Sequence, residues 1–87
     1  MIIKFHKIFD KRYQRLHRKI QDQVDGALSK FSKNPFDAAL HNHALKGHME
    51  GKRAFSVTGD VRIIFEEENG YYTVIMLDVG THNQVYR

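Results

Sequence analysis

The sequence predicts an α+β domain in which helices pack on one face of a mostly antiparallel four-stranded sheet. Three observations point there: an apolar stripe at helical spacing early in the chain, short alternating segments late in it, and turn signals between those segments. At 87 residues the chain suits one domain with one core, so residues 1–87 are read as a single unit.

Ile2, Ile3 and Phe5 form a short apolar run, read as an opening strand. Phe9, Tyr13, Leu16, Ile20, Val24, Leu28 and Phe31 then recur at steps of three or four, with Lys, Arg, Gln and Asp on the opposite face. Asn34-Pro35 ends this stripe, because proline disfavours helix in the residue before it. Periodicity leaves open whether the stripe is one helix or two with a break near His17. Residues 35–51 show no period and read as a loop with one short helical turn at 36–40. Strands are expected at 53–58, 61–67 and 71–79. In the second of these, Val61, Ile63 and Phe65 share one face while Arg62, Ile64 and Glu66 share the other. Thr58-Gly59-Asp60 marks one turn, and Asn69-Gly70 is a two-residue hairpin signal.

The net charge is +4, but it is unevenly placed. Through Pro35 nine Lys and Arg stand against three Asp, while the remainder carries five basic and seven acidic residues. A basic helical half favours a polyanionic partner, because neutralised phosphates release their counterions; a merely solvated basic face is the competing reading. The absence of cysteine excludes disulfides, thiolate nucleophiles and Cys-based zinc sites. The opening MIIKFHKIFDKRYQRL has charges inside its apolar stretch. It reads as neither a signal peptide nor a membrane span, and a cytoplasmic protein is expected.

Six histidines raise the question of a metal, with His41, His43 and His48 as the obvious set. Their spacing matches no standard zinc pattern, and no metal or other cofactor is expected. Metal-free RNA cleavage fits the residue types better. RNA carries its own nucleophile, the 2′-OH, so the protein supplies a proton acceptor, a proton donor and a cation for the phosphate. Histidine suits the first two roles and arginine the third. His43, Asp60, Arg62, His82 and Tyr86 lie in loops and strand ends from which they can converge.

The strings that carry these residues are His43-Ala44-Leu45-Lys46-Gly47, Gly51-x-Arg53, Thr58-Gly59-Asp60-Val61-Arg62-Ile63-Ile64-Phe65 and Leu77-Asp78-Val79-Gly80-Thr81-His82-x-x-Val85-Tyr86. In this order they resemble the RelE/ParE toxin superfamily, and most closely its YafQ-like branch. The resemblance implies a helical hairpin in place of one long helix. It also implies a toxin of a type II toxin–antitoxin system: a ribosome-dependent endoribonuclease that cuts mRNA in the A site. His43, Asp60 and His82 fall on the family's catalytic histidine, acidic residue and C-terminal histidine. Tyr86 falls on the aromatic that ends the motif, and Arg62 on a phosphate-binding arginine. Ser56 and Val61 depart from the pattern, which can carry histidine and tryptophan there. RNA contacts are expected from Lys11, Arg12, Arg15, Arg18, Lys46, Lys52 and Arg53.

Each assignment has a plainer rival. Asp60 can close its turn through its side chain, Arg62 can pair with Glu66 or Glu50, and Arg53 can anchor the loop. The expected partners are a cognate antitoxin, the ribosome and mRNA, with operator DNA reached only through the antitoxin and no membrane. The antitoxin is expected to fold a disordered segment over the basic site. Alternative functions within the same fold are a ParE-like inhibitor of DNA gyrase and a non-catalytic antitoxin-binding protein.

Overall fold

The computed structural model describes residues 1–86. The chain runs β1 (Ile2–Phe5), α1 (Lys7–Arg15), α2 (Arg18–Lys33), β2 (His43–Ala44), β3 (Arg53–Ser56), β4 (Val61–Glu68), β5 (Thr73–Thr81) and α3 (His82–Val85). The sheet order is β1-β5-β4-β3-β2. β1 lies parallel to β5, and the remaining pairs are antiparallel. The expected four strands are therefore five. The added strand, β2, pairs His43 with Ala54 and Ala44 with Arg53, and two residues are too few to leave an alternation in the sequence.

The apolar stripe is carried by two helices. Leu16 and His17 both adopt extended ψ angles of 146°, and His17 Nδ1 accepts a hydrogen bond from the Lys19 N–H at 3.1 Å. A side-chain acceptor at that position satisfies an N–H that the first turn of a helix leaves without a partner. His6 caps α1 in the same way, with Nδ1 accepting from the Ile8 N–H at 3.1 Å. Leu16 stays packed on the core within the break, which is why the stripe runs through it undisturbed.

Most of the core lies between the helices and one face of the sheet. Phe9, Val24, Ala27 and Phe31 meet Phe55, Ile63, Phe65, Val74, Met76 and Val79 there. Phe31 is its centre, stacked on Phe55 at 4.6 Å and edge-on to Phe65 at 5.0 Å. Val61, Ile63 and Phe65 share this face as their alternation predicts, and Ile64 points to the other. On that second face Ala54, Ile64 and Val85 form a smaller cluster, bordered by Leu45, Met49, Leu77 and Tyr86. It is the floor on which α3 and the 45–49 loop rest.

The β4–β5 connection corrects the two-residue hairpin. Glu68 pairs with Thr73, so the loop holds residues 69–72. Asn69, Gly70 and Tyr71 all take the left-handed conformation, with φ of 55°, 62° and 69°. That conformation is costly for tyrosine. Tyr71 is held in it by its N–H donated to Glu67 Oε1 at 2.9 Å and by its ring against Phe31, Phe36 and Phe65. Further along, Ile64 faces Asp78 but Phe65 faces Met76, leaving Leu77 as an extra residue that bends β5. No helix among the described residues is long and apolar enough to cross a membrane.

Candidate active site

On the second face, an open cleft of about 450 Å³ is lined by His43, Leu45, Lys46, His48, Met49, Arg62, His82 and Tyr86. One wall is β2 and the loop after it; the other is β4 and α3. Leu45 and Met49 pin the loop to the smaller cluster beneath. A short 3-10 turn at Gly47–Met49 shapes it, and Leu45 N–H donates to the Lys52 carbonyl at 3.0 Å to close it.

His43 is exposed on this wall, and its Nδ1 lies 2.8 Å from the main-chain oxygen of His41. A carbonyl only accepts, so Nδ1 is the donor and carries the proton. In the neutral ring Nε2 is then the basic nitrogen. His41 itself is in the left-handed conformation, with φ 51°, at the end of the 3-10 turn Ala38–Leu40 that lies inside the expected 36–40 turn.

Arg62 projects from β4 and is held by main-chain oxygens. Nη1 donates to Thr58 at 2.9 Å and Val61 at 3.3 Å, and Nη2 donates to Gly59 at 3.2 Å. It therefore clasps its own turn and does not pair with Glu66 or Glu50. Thr58 closes that turn, its Oγ1 accepting from the N–H groups of Asp60 at 3.2 Å and Val61 at 3.0 Å. The turn-closing role considered for the Asp60 side chain belongs to Thr58.

Asp60 is exposed and is not one of the residues lining the cleft. Its main-chain oxygen accepts the His82 N–H at 3.1 Å, which ties the β3–β4 turn to the start of α3. α3 opens with a capping box: Gln84 N–H donates to Thr81 Oγ1, and Thr81 N–H donates to Gln84 Oε1 at 2.9 Å. Gly80 permits this, since a Cβ there would lie 2.6 Å from Gln84 Oε1 and 3.2 Å from Gln84 Cβ. The His82 and Tyr86 rings meet edge to face at 4.4 Å. Burial raises the Tyr86 phenol above its ordinary pKa while Arg62 pulls it back, so the hydroxyl is a neutral donor at working pH.

Of the expected RNA contacts, only Lys46 lines the cleft. Arg53 anchors the preceding loop, donating from Nε to Asn42 Oδ1 at 3.0 Å, with its guanidinium 6.0 Å from the Phe36 ring centre. Lys52 closes the 45–52 loop through its main chain. Lys11, Arg12 and Arg15 border a shallow groove on α1, and Arg12 is 3.6 Å from Asp78. Arg18 pairs with Asp22 at 3.6 Å on the exposed start of α2. Arg12, Arg15 and Gln84 border a further groove, so α3 joins the α1 basic face to the cleft.

His48, Met49 and the α3 capping box are the parts of the site that sequence reasoning missed. Thr81-x-x-Gln84 was a readable signal for the capping box; for His48 the signal was Gly47, which marks the turn that presents it. Ser56, one of the two departures from the family pattern, borders a separate groove beside α2. Among the described residues no three His, Cys, Asp or Glu side chains are placed to hold a metal ion.

The fold is shared with solved toxins. YafQ from Escherichia coli strain BL21(DE3) superposes with a TM-score of 0.82 at 17% identity, covering 98% of this chain and 97% of that one. YafQ in the Escherichia coli DinJ–YafQ toxin–antitoxin complex gives 0.79 at 17% identity, covering 98% and 96%. The Mycobacterium tuberculosis RelBE2 toxin–antitoxin complex gives 0.75 at 18% identity, covering 93% and 96%. No curated protein matches the chain by sequence. The family model described as the bacterial toxin of type II toxin–antitoxin system, YafQ, matches residues 1–87, and the chain belongs to that family.

Proposed function

We propose that this toxin is a ribosome-dependent endoribonuclease that cuts mRNA in the A site by acid–base chemistry needing no metal. The observation that carries the reading is the His43–His41 hydrogen bond, which leaves Nε2 basic on a cleft wall facing a fixed cation and a second histidine. His43 Nε2 takes the proton of the ribose 2′-OH, and the 2′ oxygen attacks the phosphorus. Arg62, already oriented by three carbonyls, and Lys46 stabilise the charge growing on the phosphate oxygens. Protonated His82 gives its proton to the departing 5′ oxygen. The products are a 2′,3′-cyclic phosphate and a 5′-hydroxyl.

Tyr86 packs against the His82 ring and offers an aromatic face on which a base can stack. Asp60 acts through its main chain, fixing His82. Lys11, Arg12, Arg15 and Arg18, with Lys52 and Arg53 at the loop, supply positive field for the surrounding polyanion. The partners of this reading are the ribosome, mRNA and a cognate cytoplasmic antitoxin that covers the cleft; two of the similar toxins were solved in complex with antitoxins.

Induction in cells tests it. Growth arrest by the wild type, relieved in both His43→Gln and His82→Gln variants that remain folded, is the expected result. Full toxicity of both variants overturns the assignment, and stoichiometric gyrase inhibition by the pure protein would replace it.

A further inference from the structure

The cleft holds three imidazoles, and the proposed chemistry uses two. His48 lines the cleft on the same wall as His43 and Lys46, inside the turn Gly47–Met49. Three features hold that turn. Met49, half-buried, packs on the cluster beneath α3. The Met49 N–H donates to the Lys46 carbonyl at 3.3 Å, and the Lys52 N–H donates to the Met49 carbonyl at 3.0 Å. Gly47 supplies the left-handed φ of 66° that the turn needs. The exposed His48 is therefore presented to the cleft by an anchored segment.

We infer that His48 is a further RNA-contacting residue, whose ring N–H donates to an oxygen of the non-reacting phosphate that adjoins the scissile one. This rests on the nuclease reading above and adds a subsite to it. Phosphate is the ligand because the wall that carries His48 also carries a lysine, and both proton-transfer roles are filled by His43 and His82. A donor on a ground-state phosphate binds substrate and transition state alike, so its loss raises KM and leaves kcat in place.

The test compares wild type, His48→Ala and His48→Arg in two assays. One measures cleavage on ribosomes programmed with mRNA. The other measures binding of a short RNA blocked by 2′-O-methylation at low ionic strength, which reports the contact without chemistry. For His48→Ala, about fivefold weaker binding and about fivefold higher KM with kcat nearly unchanged is expected, the loss of one hydrogen bond to phosphate. His48→Arg, which keeps an N–H donor, is expected to stay within about twofold of wild type. Wild-type binding and KM in His48→Ala overturn the inference, as does a fall in kcat with KM unchanged. If the wild type cleaves no RNA yet binds the blocked oligonucleotide through His48, the contact stands and the nuclease reading falls.

Discussion

The main-chain oxygen of His41 lies 2.8 Å from Nδ1 of His43, and this single contact decides which nitrogen of the proposed base faces RNA. The neutral ring is expected as the Nδ1–H tautomer. Long-range proton–nitrogen NMR on labelled protein reads this directly. A protonated Nε2 with a bare Nδ1 in the neutral ring would remove the proposed base.

Gly80 and Gln84 make a second dependence. Gly80→Ala drives Gln84 out of the capping box, at a cost of about 1 kcal/mol, and loosens His82. Because both changes break the same box, Gly80→Ala combined with Gln84→Ala is expected to lose less stability than the two single losses added together. Strictly additive losses in urea denaturation would show that the crowding at Gly80 lies elsewhere.

Phe31 contacts both Phe55 and Phe65 at the centre of the main core and is fully buried. Phe31→Ala is expected to cost about 3–5 kcal/mol, a large share of the stability of a small domain. A change in unfolding free energy below about 1 kcal/mol would mean the core is not centred there.

Asp78 carries a pH dependence. Burial raises its pKa, against the opposing pull of the Val79 N–H and Arg12. A folded pKa above the unfolded one means that the contribution is fully present below the unfolded value and is lost as pH rises through the folded value. Asp78→Asn keeps an acceptor for Val79 and removes the buried charge; the Arg12 contact it gives up is long and part-exposed, and such pairs contribute little. Relative to wild type, its melting temperature is expected to gain more at about pH 7 than at about pH 4. A gap that widens on acidification contradicts this.

Elements that bury a continuous face were legible in the sequence, because burial imposes the period. The stripe from Phe9 to Phe31 and the alternation of Val61, Ile63 and Phe65 both appear in the core as read. What escaped reading was fixed by single contacts. β2 depends on two residue pairs and the 69–72 loop on where Tyr71 packs, whereas the helix break near His17, which periodicity left open, is the hairpin the family resemblance implied. The same holds for the site. His43, Arg62, His82 and Tyr86 meet in one cleft. Asp60, as a residue type suited to acid–base work, gave no hint that its main chain holds His82. His48 reached the cleft through a turn whose only trace is Gly47.

The most direct test is cleavage of mRNA on purified, programmed ribosomes, followed by analysis of both new ends. The expected result is a cut within the A-site codon that leaves a 2′,3′-cyclic phosphate and a 5′-hydroxyl, with His43→Gln slowing it about 100-fold or more. Intact mRNA, or a cut whose rate does not change in His43→Gln, contradicts the account.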